Sequence, residues 1–259
     1  MFKPYRALLF LALSALMLFP DQGLASSVNK ATKTAEASLA KQELSQQQLT
    51  SLLARVEKKY ADMQSLECSF EQHSKSGGRM REGSGQAFFF RPGGASGEKN
   101  FVAKGGIIRW EYLKPEAQTI INDGKEIQIY SPADKQLLIS SAEALDTDIT
   151  YALFTGQTNL TESFLVAEGD SSFSLSPPPA GLRALHLVPK EPQSQLKQAQ
   201  IWVNKDMYIE RLIMEDYFNA ITELSFNDIR FNAIKPGNTA KIKQLRALNI
   251  AADTEIIRQ

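Results

Sequence analysis

RWEYLKPEAQTIINDGKEIQIYSP, residues 109–132, alternates apolar and polar side chains in three short runs divided by turn residues. Period-two alternation marks a half-buried β-strand, because successive side chains point to opposite faces. Trp110 and Tyr112 therefore share one face of their strand. Asp123-Gly124 separates two of the runs and predicts a type I′ hairpin turn, whose two central residues both need positive φ. IIRWEY before and KQLLIS after extend the same pattern. No nucleophile stands beside a base anywhere in it, so a large amount of β-structure carries little chemistry.

Upstream, QAFFFRP (86–92) puts Ala87, Phe89 and Arg91 on one face and Phe88 and Phe90 on the other, until Pro92 ends regular pairing. GGASGEKNFVAKGG, residues 93–106, is a glycine-rich insertion that predicts an exposed loop. SGGRMREGSG (76–85) predicts turns, and LECSFEQH (66–73) a strand with Leu66, Cys68 and Phe70 on one face. Before that the period changes to that of a helix. Ser45 and Gln48 fit a capping box, Leu44 and Leu49 a hydrophobic staple. Leu49, Leu52, Leu53, Val56, Tyr60 and Met63 recur at helical spacing. Such an amphipathic stripe must cover something.

Downstream, residues 142–155 return to helical spacing through Leu145, Ile149, Ala152 and Leu153. FLVAE, SFSLS, LRALHLV, AQIWVN, YIERLIMED and ITELSFNDIRFN then read as further strands, and the tail from Lys235 has no clear strand period. About ten or eleven evenly spaced short strands predict a strongly curved antiparallel sheet, a barrel or half-barrel, with both helices on its concave side.

The chain begins MFKPYRALLFLALSALMLFPDQGLASS: a basic start at Lys3 and Arg6, an apolar run from Ala7 to Phe19, and small residues at Gly23 and Ala25. That is the layout of a cleavable secretory signal over residues 1–25, and the apolar run, about 13 residues, is short for a membrane span. Residues 26–44 read as a polar leader, and 45–240 as one folded domain followed by a tail, 241–259. The formal charge is zero across 259 residues, which gives nucleic acid no attractive field. The lone cysteine, Cys68, rules out an internal disulfide framework and fits a core position. With two histidines and no metal-ligand, Walker or nucleophile-elbow spacing, the residues predict neither an enzyme nor a cofactor.

GSGQAFFFRP, then RWEYLKPEAQTIINDGKEIQIYSPADKQL, then LHLVPKEPQSQLKQAQIWVNKDMYIERLIMEDYFNAITELSFNDIRFN, resembles the outer-membrane lipoprotein carrier family, LolA, in order and spacing over roughly residues 45–232. The resemblance implies an incomplete antiparallel β-barrel with an α-helical lid over a hydrophobic cavity. It implies a periplasmic monomer that shields lipoprotein acyl chains, receiving them from an inner-membrane releasing transporter and passing them to an outer-membrane acceptor. No nucleotide, metal or nucleic acid takes part. The arginine of the arginine-proline pair, Arg91 here, would hold the lid closed by donating to helix carbonyls, with Arg109 as the alternative strand arginine. Leu52, Val56, Phe70, Phe89, Trp110, Tyr112, Leu145 and Ile149 are the candidate cavity wall, for which plain core packing is the competing reading. The insertion and the tail depart from the family pattern, and a sensor of envelope lipids or a carrier of another lipid or glycolipid is the alternative function.

Overall fold

A computed structural model of the protein describes residues 44–91, 106–142, 150, 159–177, 179–193, 195–235 and 237–259. The signal and leader, the glycine-rich insertion, and the helix expected over 142–155 with Leu145 and Ile149 lie outside the described residues, apart from Leu44, Gly106, Ala142 and Thr150. Helix α1 (Gln46–Ala61) is followed by strands β1 (Ser65–Ser76), β2 (Arg79–Phe90), β3 (Ile107–Lys114), β4 (Gln118–Asn122), β5 (Glu126–Ser131) and β6 (Gln136–Ser141). A single turn, α2 (Leu160–Ser163), leads into β7 (Phe164–Glu168), β8 (Arg183–Pro189), β9 (Gln198–Val203), β10 (Ile209–Glu215) and β11 (Ile221–Phe231). Helix α3 (Thr239–Arg246) and β12 (Glu255–Arg258) end the chain.

The 12 strands among the described residues form one sheet, ordered β12-β6-β5-β4-β3-β2-β1-β11-β10-β9-β8-β7, so β2 and β1 pair at its centre and β12 and β7 are its edges. Every pairing is antiparallel except β12 with β6. Laid flat, such a sheet would be about 50 Å wide at ~4.8 Å per strand, while one helix is ~10 Å across. Yet Ile129 near one edge, Val166 near the other and the α1 stripe belong to one continuous apolar cluster. The sheet must therefore curl around α1, as an open, unclosed half-barrel.

Its two faces alternate as period two demands. Leu66, Cys68, Phe70, Ala87, Phe89, Ile108, Trp110 and Tyr112 face the concave core. Phe88, Phe90, Ile107 and Ile121 form a second cluster on the convex face under Ile234 and Leu245.

Several expectations are corrected. Among the described residues the strands number 12, the tail supplying one beyond the ten or eleven expected. The tail also forms a helix that the sequence reading did not expect, α3, which packs on the convex face through Leu245. SGGRMREGSG is mostly strand: β1 and β2 pair without interruption from Ser65↔Phe90 to Ser76↔Arg79. The two-residue turn with positive φ at both centres is Gly77-Gly78, at 56° and 76°. Asp123-Gly124 instead opens a three-residue loop in which Gly124 alone takes positive φ, 87°. Side chains stabilise that loop: Gly124 N–H donates to Asn122 Oδ1 (2.7 Å), and Lys125 and Glu126 N–H donate to Asp123 Oδ1 (2.9 and 3.0 Å). SFSLS is not a strand, because its backbone crosses the convex face and is held by Glu223.

Candidate functional site

The site is the concave face under α1. The helix starts as its sequence demands: Gln48 N–H donates to Ser45 Oγ (3.3 Å) while Ser45 N–H donates to Gln48 Oε1 (2.8 Å). Leu49, Leu53, Val56 and Tyr60 are buried along one stripe, and Leu52 at its margin is partly buried against the same core. Burying four such side chains stabilises the docked helix by ~6–12 kcal/mol at about 1.5–3 kcal/mol each.

Polar contacts at three levels orient the helix. At its start, Gln46 Nε2 donates to the Val166 carbonyl on edge strand β7 (3.0 Å). In its middle, Glu57 Oε2 accepts from the Thr161 N–H and hydroxyl, both 3.1 Å away in α2. At its end, Ile209 N–H donates to Tyr60 Oη (3.0 Å), and Arg91 Nη1 donates to the Ala61 carbonyl (2.7 Å). Arg91 N–H also donates to the Gln64 carbonyl (2.7 Å), which fixes the residue beside the helix terminus. The last carbonyls of a helix have no partner within it and carry the negative end of its dipole, so a guanidinium is the fitting group there. Burial lowers the Arg91 pKa from its ordinary value, but an arginine keeps its charge at any ordinary pH.

Arg109 does something else. Alternation puts Trp110 and Tyr112 inside, so Arg109 faces the convex side, away from α1, and its reading as the alternative to Arg91 is corrected. Its Nη1 donates to the Leu245 and Ala247 carbonyls (3.3 and 2.9 Å) at the end of α3, and its Nε pairs with Glu111 (2.5 Å).

Phe70, Phe89, Trp110 and Tyr112 come together as an aromatic wall. Phe70 meets Trp110 and Tyr112 edge to face, each at 4.9 Å between centroids, and Phe89 meets Trp110 at 5.9 Å. Tyr112 Oη donates to Gln72 Oε1 (2.7 Å), so its one polar atom is satisfied. Cys68 lies on the same face, where burial pushes its thiol up to about 12; it is a core residue with almost no thiolate at neutral pH.

Sequence reasoning missed the middle and end tethers, Glu57–Thr161 and Tyr60–Ile209. Tyr60 was visible as a stripe residue, but nothing local reveals a hydroxyl partner 149 residues away. It also missed a buried pair on the convex face, Arg211 with Glu223 (3.7 Å), which grips residues 174–177. Glu223 accepts from Leu175 N–H (2.8 Å) and from the Ser174 and Ser176 hydroxyls; Arg211 donates to the Pro177 carbonyl (2.9 Å). Strands reading ERLIME and TELSFN signalled this only as charges at buried-strand positions. Among the described residues no group of His, Cys, Asp and Glu could hold a metal ion, and no helix is long and apolar enough to cross a membrane.

Residues 61–237 match the family model described as outer membrane lipoprotein carrier protein LolA. An outer-membrane lipoprotein carrier protein of Chromobacterium violaceum is 25% identical over 186 residues, 72% of this chain and 80% of that protein. One from Xanthomonas campestris is 23% identical over 149 residues, 57% of this chain and 68% of its own. Among solved structures, a LolA superfamily protein from Nitrosomonas europaea aligns at a TM-score of 0.35 and 13% identity, over 72% of this chain and 94% of that one. An uncharacterized conserved protein from Thermus thermophilus aligns at 0.46 and 14%, over 81% and 98%.

Proposed function

The chain belongs to the outer membrane lipoprotein carrier family LolA, and on that premise we propose that it shields lipoprotein acyl chains between the inner and the outer membrane. The observation that carries this reading is a concave apolar face over which α1 lies, held among the described residues by polar contacts at Gln46, Glu57, Tyr60 and the Ala61 carbonyl. Such a helix can leave without unpicking the sheet.

The magnitudes match. Undocking the α1 stripe costs ~6–12 kcal/mol, whereas an acyl chain of about 14 methylenes gains ~11 kcal/mol on leaving water. Cargo and lid therefore exchange at near balance. Loading is possible because the chain replaces the stripe, and release is possible because the stripe replaces the chain. A permanently open pocket would hold cargo too tightly to hand on; a closed fraction lowers the apparent affinity. Arg91 is the lid clasp in this proposal, and Phe70, Phe89, Trp110 and Tyr112 with Leu52 and Val56 are the surfaces that meet the chain. An inner-membrane releasing transporter and an outer-membrane acceptor would be the partners, and the work requires no covalent step.

Native mass spectrometry of the protein with acylated and deacylated forms of one lipoprotein tests this. A one-to-one complex with the acylated form alone is expected. Equal binding of both forms, or of neither, overturns acyl-chain carriage.

A further inference from the structure

An open groove of about 660 Å³ lies outside the aromatic wall, between α1 and the end of the sheet where β8 begins and β9 turns into β10. Its size is that of a site for a small amphiphile or cofactor. Leu52, Val203 and Met207 give it an apolar floor, and each belongs to or packs against the main concave cluster. Arg55, Arg183 and Lys205 stand in its lining, which among the described residues holds no carboxylate. Arg183 has one exposed ion pair, to Glu168 at 3.4 Å, of the weak kind that a ligand can replace. Arg55 and Lys205 make no ion pair among the described residues.

The β9–β10 turn is built to hold this shape. Asn204 Oδ1 accepts from the Asp206 and Tyr208 N–H groups (2.9 and 3.1 Å), and its Nδ2 donates to Glu210 (2.6 Å). Met207 is thereby kept at φ 65°, a left-handed conformation that strains a bulky residue and that persists only when its surroundings enforce it. The result places an apolar thioether in the floor with Lys205 two residues before it.

We propose that this groove binds an anionic phospholipid, its acyl chain on the Leu52–Val203–Met207 floor and its phosphate between Arg55, Arg183 and Lys205. A free anion would leave the apolar floor in water, and a zwitterionic lipid would bring an ammonium group among three cations. The groove lies beside the aromatic wall and shares only Leu52 with the surfaces proposed to meet the lipoprotein chain, so its occupancy by lipid does not require lipoprotein carriage.

The test is titration calorimetry of the protein with palmitoyl lysophosphatidylglycerol, palmitoyl lysophosphatidylcholine and inorganic phosphate, each below any micelle-forming concentration. Wild type should bind the glycerol lipid one to one and at least ~10-fold more tightly than the choline lipid, the equivalent of about 1.4 kcal/mol. The double variant Arg55→Glu/Lys205→Glu, altered at two exposed positions, should lose that preference while keeping its circular dichroism. Equal affinity for the two lipids, an unchanged double variant, or displacement of the glycerol lipid by millimolar phosphate overturns the proposal. The same double variant is then mixed with acylated lipoprotein. Retained cargo binding with lost lipid binding separates the groove from the interior; loss of cargo together with lipid shows one shared site and overturns the separate groove. Wild type that binds the lysolipid but no acylated lipoprotein removes lipoprotein carriage and leaves the groove standing.

Discussion

Replacing Arg91 by leucine should loosen α1 at its C-terminal end and leave the sheet alone. Among the described residues, the side-chain bond lost is the 2.7 Å donation from the guanidinium to the Ala61 carbonyl. Hydrogen bonds to a charged group contribute about 1.5–3 kcal/mol, and a half-buried guanidinium belongs at the low end, ~1.5 kcal/mol. That is about tenfold in the opening equilibrium. Amide hydrogen exchange over residues 46–61 should therefore speed up about tenfold, most strongly in the last two turns, where Arg91 acts. The first turn keeps the Gln46–Val166 bond, and Glu57 keeps its bonds to Thr161. Because cargo must displace a closed lid, the affinity for an acylated lipoprotein should rise by up to the same ~10-fold, and handover should slow accordingly. Exchange in β1 and β2 is the internal control. If α1 and these central strands lose protection by the same factor, Arg91 stabilises the whole fold and is not a clasp. If α1 protection is unchanged, the Ala61 bond contributes nothing to closure and the reasoning is refuted.

Arg109→Leu removes the donor to the Leu245 and Ala247 carbonyls and should leave α1 exchange unchanged. It should cost ~1.5 kcal/mol, a Tm loss of about 3–6 °C, with limited proteolysis moving into residues 239–259. Glu223→Ala leaves Arg211 buried without its counter-ion and should cost about 3–5 kcal/mol by urea unfolding, with new cleavage near residues 170–177. Cys68 should resist an aromatic disulfide reagent at pH 8 in the folded protein. Its thiol ionises near the ordinary value when unfolded and near 12 when folded, so ionisation favours the unfolded chain as the pH rises above about 9. Stability should then fall by up to ~1.4 kcal/mol per pH unit, and Cys68→Ala should remove that part of the slope; equal slopes would refute a buried neutral thiol.

The concave face was legible because it obeys local periods. Period two in β1–β3 and the helical period of α1 are each set by neighbours in sequence, and the capping box of Ser45 and Gln48 is a matter of four residues. The convex face was not legible, because its cover is non-local. The tail has no strand period since β12 is four residues long and mostly exposed, held by backbone pairing to β6 rather than by an apolar side. SFSLS alternates like a strand, yet Glu223 and Arg211 take its backbone donors and acceptors, so no neighbour strand can. The two arginines show the same limit. Alternation assigns Arg91 and Arg109 to opposite faces once Phe89 and Trp110 are placed inside, but which helix end meets each guanidinium depends on contacts 30 and 136 residues away.

The convex cover bears on carriage itself. A sheet that presents one apolar face to cargo on the proposed reading is also apolar on half of its back: Phe88, Phe90, Ile107, Ile121, Tyr130, Leu137 and Ile139 all lie there. Left bare, these side chains would form a contiguous patch of the kind that binds other proteins or aggregates. The tail closes it through Ile234, Leu245 and Leu248, with Lys241 over the Phe88 ring at 4.7 Å and near Glu67 at 3.8 Å. Its last strand also pairs with β6 and so covers what would be a long free edge. At the opposite edge, the Val166 carbonyl of β7 is taken by Gln46 of the lid helix itself. That last contact couples the two functions: when α1 leaves the concave face, the β7 carbonyl is uncovered at the same moment. On the proposed reading, an opened carrier would therefore expose an apolar floor and the Val166 carbonyl of the edge strand together to whatever receives its cargo.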